Sequence, residues 1–152
     1  MPNDWLPVPP YKQSADGFCL PACARMVLAY WGHHLPEEQV AKRLRSFSFG
    51  TPAPNVRYLE SLGVSVTFGS ASLARLRDWL QDRIPCIVFV QAGDLPYSVS
   101  EGYHAIVVVG LDEHAAYVND PASDTAPQAI PLEHFLLAWS EFDYEYAVIT
   151  RS

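Results

Sequence analysis

Positive charge is scarce in this sequence. Ten Lys and Arg stand against 17 Asp and Glu, leaving a formal net charge of −7. That excludes a surface built to neutralise phosphates, which needs clustered cations. The arginines are scattered (Arg43, Arg45, Arg57, Arg75, Arg77, Arg83), and the densest group, Lys42-Arg43-Leu44-Arg45, reads as the solvated end of a helix. Long apolar runs are also missing. Runs such as Ala105 to Val109 fall far short of the roughly 20 residues that cross a bilayer. Met1-Pro2-Asn3-Asp4-Trp5 lacks the basic-then-apolar order of a secretory signal, so a cytoplasmic location is the default expectation. No amphipathic basic helix offers itself to a membrane surface. Cysteine is sparse and odd in number, so Cys19, Cys23 and Cys86 do not read as a disulfide framework. A chain of 152 residues needs no such staple, because it can bury roughly 68–70% of its unfolded surface.

What is present is an ordinary globular composition, 49% hydrophobic and 18% charged. One domain over 1–152 is expected, with a proline-rich extended arm over 1–12. From Leu20 to Trp31 nearly every position is apolar. Leu20, Ala24, Val27, Leu28 and Trp31 form one stripe and Cys23, Met26 and Tyr30 a second, which marks a buried central helix ended by Gly32. Pro36-Glu37-Glu38 opens a second helix to about Leu44, and Pro54 a short third one to Leu62, closed by Gly63. Ser70 or Ser72 caps a further helix to Asp82, and Pro131 to Trp139 forms another. Strands are expected at Val64–Phe68, Ile84–Val90, Tyr103–Leu111, Tyr117–Asn119 and Tyr144–Thr150, with surface loops at Gly93–Gly102 and Ala122–Pro127. Helices gather in the first half and strands in the second, so the fold class is α+β, a helical half packed on an antiparallel sheet.

Three positions draw attention for their chemistry. Pro21 has no N–H and belongs in a first helical turn, so the central helix starts near Cys19. A thiol at a helix N-terminus meets free N–H groups and the positive end of the macrodipole, which favour the thiolate nucleophile. The competing reading of Cys19 is a small apolar core residue. Cys23 lies one turn deeper and Cys86 inside a buried strand, and both read as packing. His104 opens an otherwise aliphatic strand, as a base held rigidly at a strand end would, or as a half-exposed edge histidine. Asp120 follows in Tyr117-Val118-Asn119-Asp120-Pro121. If Asp112-Glu113-His114 is a hairpin turn centred on Glu113, opposed residue numbers add to about 226, and Asp120 faces Ile106, diagonal to His104 on the same face. A one-residue shift would put the two on opposite faces, and Asp-Pro is also a plain turn signal. Gln13, six positions before Cys19, can offer an amide donor to an oxyanion beside the backbone N–H of Cys19.

Together these pieces resemble a family. Gln13, five residues, then Cys19-Leu20-Pro21-Ala22-Cys23-Ala24-Arg25-Met26-Val27-Leu28-Ala29-Tyr30-Trp31-Gly32 is similar to the opening motif of the bacteriocin-processing cysteine peptidases, cysteine peptidase family 39 of the papain-like superfamily. Tyr103-His104-Ala105-Ile106-Val107-Val108-Val109-Gly110 and Val118-Asn119-Asp120-Pro121 resemble its histidine and aspartate motifs, in the family's order and spacing. The resemblance implies a papain-like fold, a Cys19-His104-Asp120 triad, Gln13 as oxyanion donor, and no metal or organic cofactor. Two features depart from the family. Leu20 stands where it usually has glycine, so Leu20 and Tyr103 are expected at the substrate cleft, with Leu20 narrowing it. No transporter segment follows in this chain.

The leading expectation is thiol-dependent cleavage of a peptide amide through an acyl-enzyme on Cys19. The substrate is then an extended segment with small residues near the cut, basic or neutral sooner than acidic, and neither nucleic acid nor membrane is a partner. Acyl transfer to an amine or thiol on the same triad is the alternative, as is a catalytically silent peptide-binding module, which Leu20 would favour. A metal site of Cys19, Cys23, His33 and His34 fits no standard zinc spacing.

Overall fold

The computed structural model describes residues 5–151; Met1, Pro2, Asn3 and Asp4 at the start of the expected arm lie outside that range. Helix α1 spans Cys19–Tyr30, with nine buried residues covering both of its apolar stripes. Helix α2 (Glu37–Arg43) follows. A 3-10 stretch over Ala53–Leu62 stands where a third helix was expected, and Gly63 closes it at φ 84°, a conformation natural to glycine. Then come strand β1 (Val64–Ser70), helix α3 (Leu73–Gln81), capped by the Ser72 hydroxyl on the N–H of Arg75, and strand β2 (Cys86–Gln91). Strands β3 (Tyr103–Leu111), β4 (Ala115–Asn119) and β5 (Gln128–Pro131), helix α4 (Leu132–Ser140) and strand β6 (Glu145–Arg151) complete the order.

The six strands form one sheet in the order β1-β6-β2-β3-β4-β5, every neighbouring pair antiparallel. Strands β2 and β3 are apolar at nearly every position because both of their faces are covered. Ile87, Phe89, Ala105 and Val107 face one core, shared with α1, α2 and the 3-10 stretch. Cys86, Val88, Ile106 and Val108 face a second core, shared with α3 and α4. The expected α+β fold is present, a helical half packed on an antiparallel sheet that carries His104 and Asp120, and α3 and α4 cover the sheet's other face as well.

Two local departures matter for the site. Strand β5 was not expected. It is a four-residue edge strand next to a loop, too short to show a period of its own. The N-terminal arm is extended, as expected, but it is sewn down. Leu6 donates its N–H to Val109 O at 2.8 Å, the Asn119 amide donates to Val8 O at 3.0 Å, and Gln13 donates its N–H to Pro121 O at 2.8 Å. Leu6 and Val8 are buried in the first core. The arm therefore runs beside the segment that carries Asp120 and delivers Gln13 to the start of α1.

Candidate active site

Three elements converge at one end of the sheet. The first is the N-terminus of α1. Cys19 is the first helical residue, after Phe18 at the cap position. Among the described residues no side chain caps this end and no acidic residue occupies its first turn. Its N–H groups and dipole are thus left for an anion. Cys19 is partly exposed, whereas Cys23, one turn in, is fully buried. Burial, then the charges of Cys19 and Asp120, push the Cys23 thiol well above its ordinary pKa.

The second element is the β3–β4 pair. Its register is Val107↔Asn119 and Val108↔Val118, then shifts at a bulge to Gly110↔Tyr117 and Leu111↔Ala116. Continued toward the site, the register sets Asp120 against Ile106, as the sequence suggested. His104 Nε2 and Asp120 Oδ1 lie 2.7 Å apart. His104 is 9% exposed and Asp120 5%. Burial pulls the His104 pKa down, but its contacts with Asp120 and Cys19 outweigh that and raise it to about 9. Burial likewise works to raise the pKa of Asp120. The His104, Tyr97 and Ala122 hydrogen bonds prevail and hold it below the usual carboxylate range. With Nε2 engaged by Asp120, Nδ1 is the ring nitrogen left for a proton shared with Cys19.

The third element is the arm. Gln13 donates an amide hydrogen to Ala15 O at 3.0 Å, and its second N–H has no partner among the described residues. Gln13, Cys19, Tyr103, His104 and Asp120 all line a cleft of about 550 Å³, a volume suited to a small ligand or a few residues of peptide. One wall carries Phe49, 82% exposed and stacked on Phe47 with ring centroids 5.2 Å apart. Gly17 fixes that wall to the approach to Cys19. Its φ is 89°, and a Cβ there would sit 2.8 Å from Ser48 O. The other wall is the loop from Tyr97 to Glu101.

Leu20 is a correction. It is 1% exposed and belongs to the first core. Position 20, directly after Cys19, turns into the protein here, so its side chain does not narrow the cleft. Tyr103 does line it, 40% exposed and stacked on Phe89 at 5.6 Å. The four-residue metal set comes apart as well. Cys19 begins α1, while His33 and His34 follow its end, about 17 Å away along the axis of a 12-residue helix. Among the described residues no group of His, Cys, Asp and Glu is placed to hold a metal ion, and no helix is long and apolar enough to cross a membrane.

Sequence reasoning missed Tyr97, whose hydroxyl donates to Asp120 Oδ2 at 2.6 Å. It lies in a stretch read as surface loop. The one signal for it was an aromatic residue among Gly, Ser and Asp, with no period to place it.

Comparison with known proteins bears on the fold and the family. No curated protein sequence matches the chain. The fold is shared with a C39-like peptidase from Bacillus anthracis (TM-score 0.82, 15% identity, covering 97% of this chain and 98% of that one). It is shared with a double glycine motif protease from an AMS/PCAT transporter, solved in complex with the leader peptide (TM-score 0.75, 24% identity, 97% and 94% covered). It is shared also with the peptidase domain of Streptococcus ComA, a bifunctional ABC transporter of a quorum-sensing pathway (TM-score 0.77, 20% identity, 94% and 98% covered). With the Peptidase_C39-like family model matching residues 5–147, the chain belongs to that family of cysteine peptidases.

Proposed function

We propose that the protein cleaves a peptide amide through an acyl-enzyme on Cys19. The observation that carries the reading is the convergence of three groups on one cleft: a partly exposed thiol at an uncapped helix N-terminus, a buried imidazole, and a carboxylate 2.7 Å from that imidazole. In this mechanism His104 takes the thiol proton and Asp120 stabilises the imidazolium. The thiolate attacks the peptide carbonyl. The backbone N–H of Cys19 and the free amide N–H of Gln13 stabilise the oxyanion. His104 then protonates the leaving amine, and water releases the acyl group.

The substrate class follows from the cleft and from one neighbour. An open cleft flanked by Phe49 and Tyr103 accepts an extended chain. The neighbour bound to a leader peptide and described by a double glycine motif supports small residues beside the cut. The steric argument from Leu20 no longer contributes to that preference, and the buried Leu20 also removes the feature that favoured a silent binding module. Acyl transfer to an amine or thiol remains the runner-up on the same triad, because the fold does not choose the acceptor.

A peptide library incubated with wild-type protein and with Cys19→Ala, read by mass spectrometry, tests the proposal. Cleavage beside small residues by wild type alone is expected. Tight binding by both proteins with no cleavage by either would overturn it, and products joined to an added amine would select the transferase reading.

A further inference from the structure

The loop between β2 and β3 is built more firmly than a cleft rim requires. Gln91, the last residue of β2, turns its side-chain oxygen onto both ends of the loop, accepting from Gly93 N at 3.1 Å and from Gly102 N. Ala92 N donates to Gly102 O at 2.8 Å. Leu95 is buried in the second core, and Ser98 N returns to Leu95 O at 3.1 Å, closing a turn around Tyr97. The ring of Tyr97 packs against the same core. These anchors fix where its hydroxyl points.

It points at the triad carboxylate. Asp120 Oδ1 already serves His104 Nε2 at 2.7 Å and Ala122 N at 2.9 Å. Oδ2 receives Tyr97 at 2.6 Å. Every buried carboxylate oxygen needs a donor, and an unpaired one is costly enough to make the group rotate or admit water. Either response disturbs the His104 contact.

We propose that Tyr97 is a positioning residue of the active site, holding Asp120 by the oxygen His104 leaves free so that the imidazolium keeps its partner. The inference rests on the triad reading above and adds a fourth member to it, delivered by a loop and not by the sheet. Burial first, then the charge of Asp120 and the hydrogen bond to it, raise the pKa of Tyr97, so it stays a donor throughout the working range. The ionisable groups facing His104 and Asp120 are Cys19 and Cys23 from α1 and Tyr97 from this loop, while Tyr103 faces the two cysteines.

The experiment is the pH dependence of Cys19 alkylation by iodoacetamide in wild type, Tyr97→Phe and His104→Ala, with melting temperature measured alongside. Wild type should show two inflections, one as the thiolate–imidazolium pair forms and one as His104 loses its proton. In Tyr97→Phe the lower inflection should rise and the upper fall, narrowing the interval by about 0.5–1 pH unit, the scale of one lost hydrogen bond. A Tyr97→Phe profile that overlays wild type overturns the proposal, even if the melting temperature falls, since that is a structural role alone. A His104→Ala profile that overlays wild type overturns the triad reading itself, and the role of Tyr97 with it.

Discussion

Cys19 and Cys23 are the same residue type on the same helix, one turn apart, and the structure treats them in opposite ways. Cys19 sits where α1 has unsatisfied N–H groups and opens to the cleft; Cys23 is sealed in the first core. Four residues of depth separate a partly exposed thiol from one whose ionisation burial opposes. Under the proposed mechanism the nucleophile is thus set by position along a helix, and the sheet brings His104 only to that end.

Substitutions sharpen the contrast. The largest effect is expected for Cys19→Ala and His104→Ala, which should each lower turnover by roughly 10⁵–10⁶ with the fold intact by circular dichroism. Full turnover in either variant would break the comparison. Asp120→Ala should be milder, roughly 10⁴, because an orienting group contributes less than nucleophile or base. Gln13→Ala should lower kcat by roughly 10²–10³ with little change in KM. A change confined to KM would assign Gln13 to substrate positioning.

A pH titration of stability probes His104. His104 is raised from 6.5 to about 9, so its contribution is complete below its ordinary pKa and is lost as pH rises through about 9. Its size is up to about 3 kcal/mol. Asp120, whose pKa is lowered, contributes above the ordinary carboxylate pKa, and that share is lost as pH falls through its depressed value. Chemical denaturation should find wild type losing stability between about pH 6.5 and 9.5 relative to His104→Ala; parallel curves would contradict the raised pKa. The smallest effect belongs to Cys23. Cys23→Ser should cost about 1–3 kcal/mol of stability by placing a hydroxyl in the apolar core, with turnover per folded molecule unchanged. A loss of turnover as large as that of Cys19→Ala would merge the two thiols into one functional pair.

Much of this was legible in the residues. Proline at position 21 marks a helix start, unbroken apolar runs mark strands covered on both faces, and these locate Cys19 and His104 at element ends by local rules alone. The His104–Asp120 register was legible for a partly mistaken reason. The turn runs through Asp112 to Ala115, with Leu111 opposite Ala116; carried unbroken to the site, that pairing would set Asp120 against Val107, on the wrong face. The bulge at Val109 restores the register. Its carbonyl is taken by Leu6 of the arm, and Gly110 beside it leaves room for Trp5, whose Cβ would lie 3.0 Å from an added side chain.

The sequence by itself determined the periodic parts: the buried central helix, the two core strands, and the order of thiol, imidazole and carboxylate along the chain. Those depend on near-neighbour spacing and intrinsic backbone preference, which any short window carries. Tertiary structure alone decided that Leu20 turns inward, that the arm ties down Val109, Asn119 and Pro121, that helices cover both faces of the sheet, and that Tyr97 reaches Asp120. Each of these joins residues far apart in the chain through packing or a single hydrogen bond, and such a contact leaves no period behind for a reader of the sequence to find.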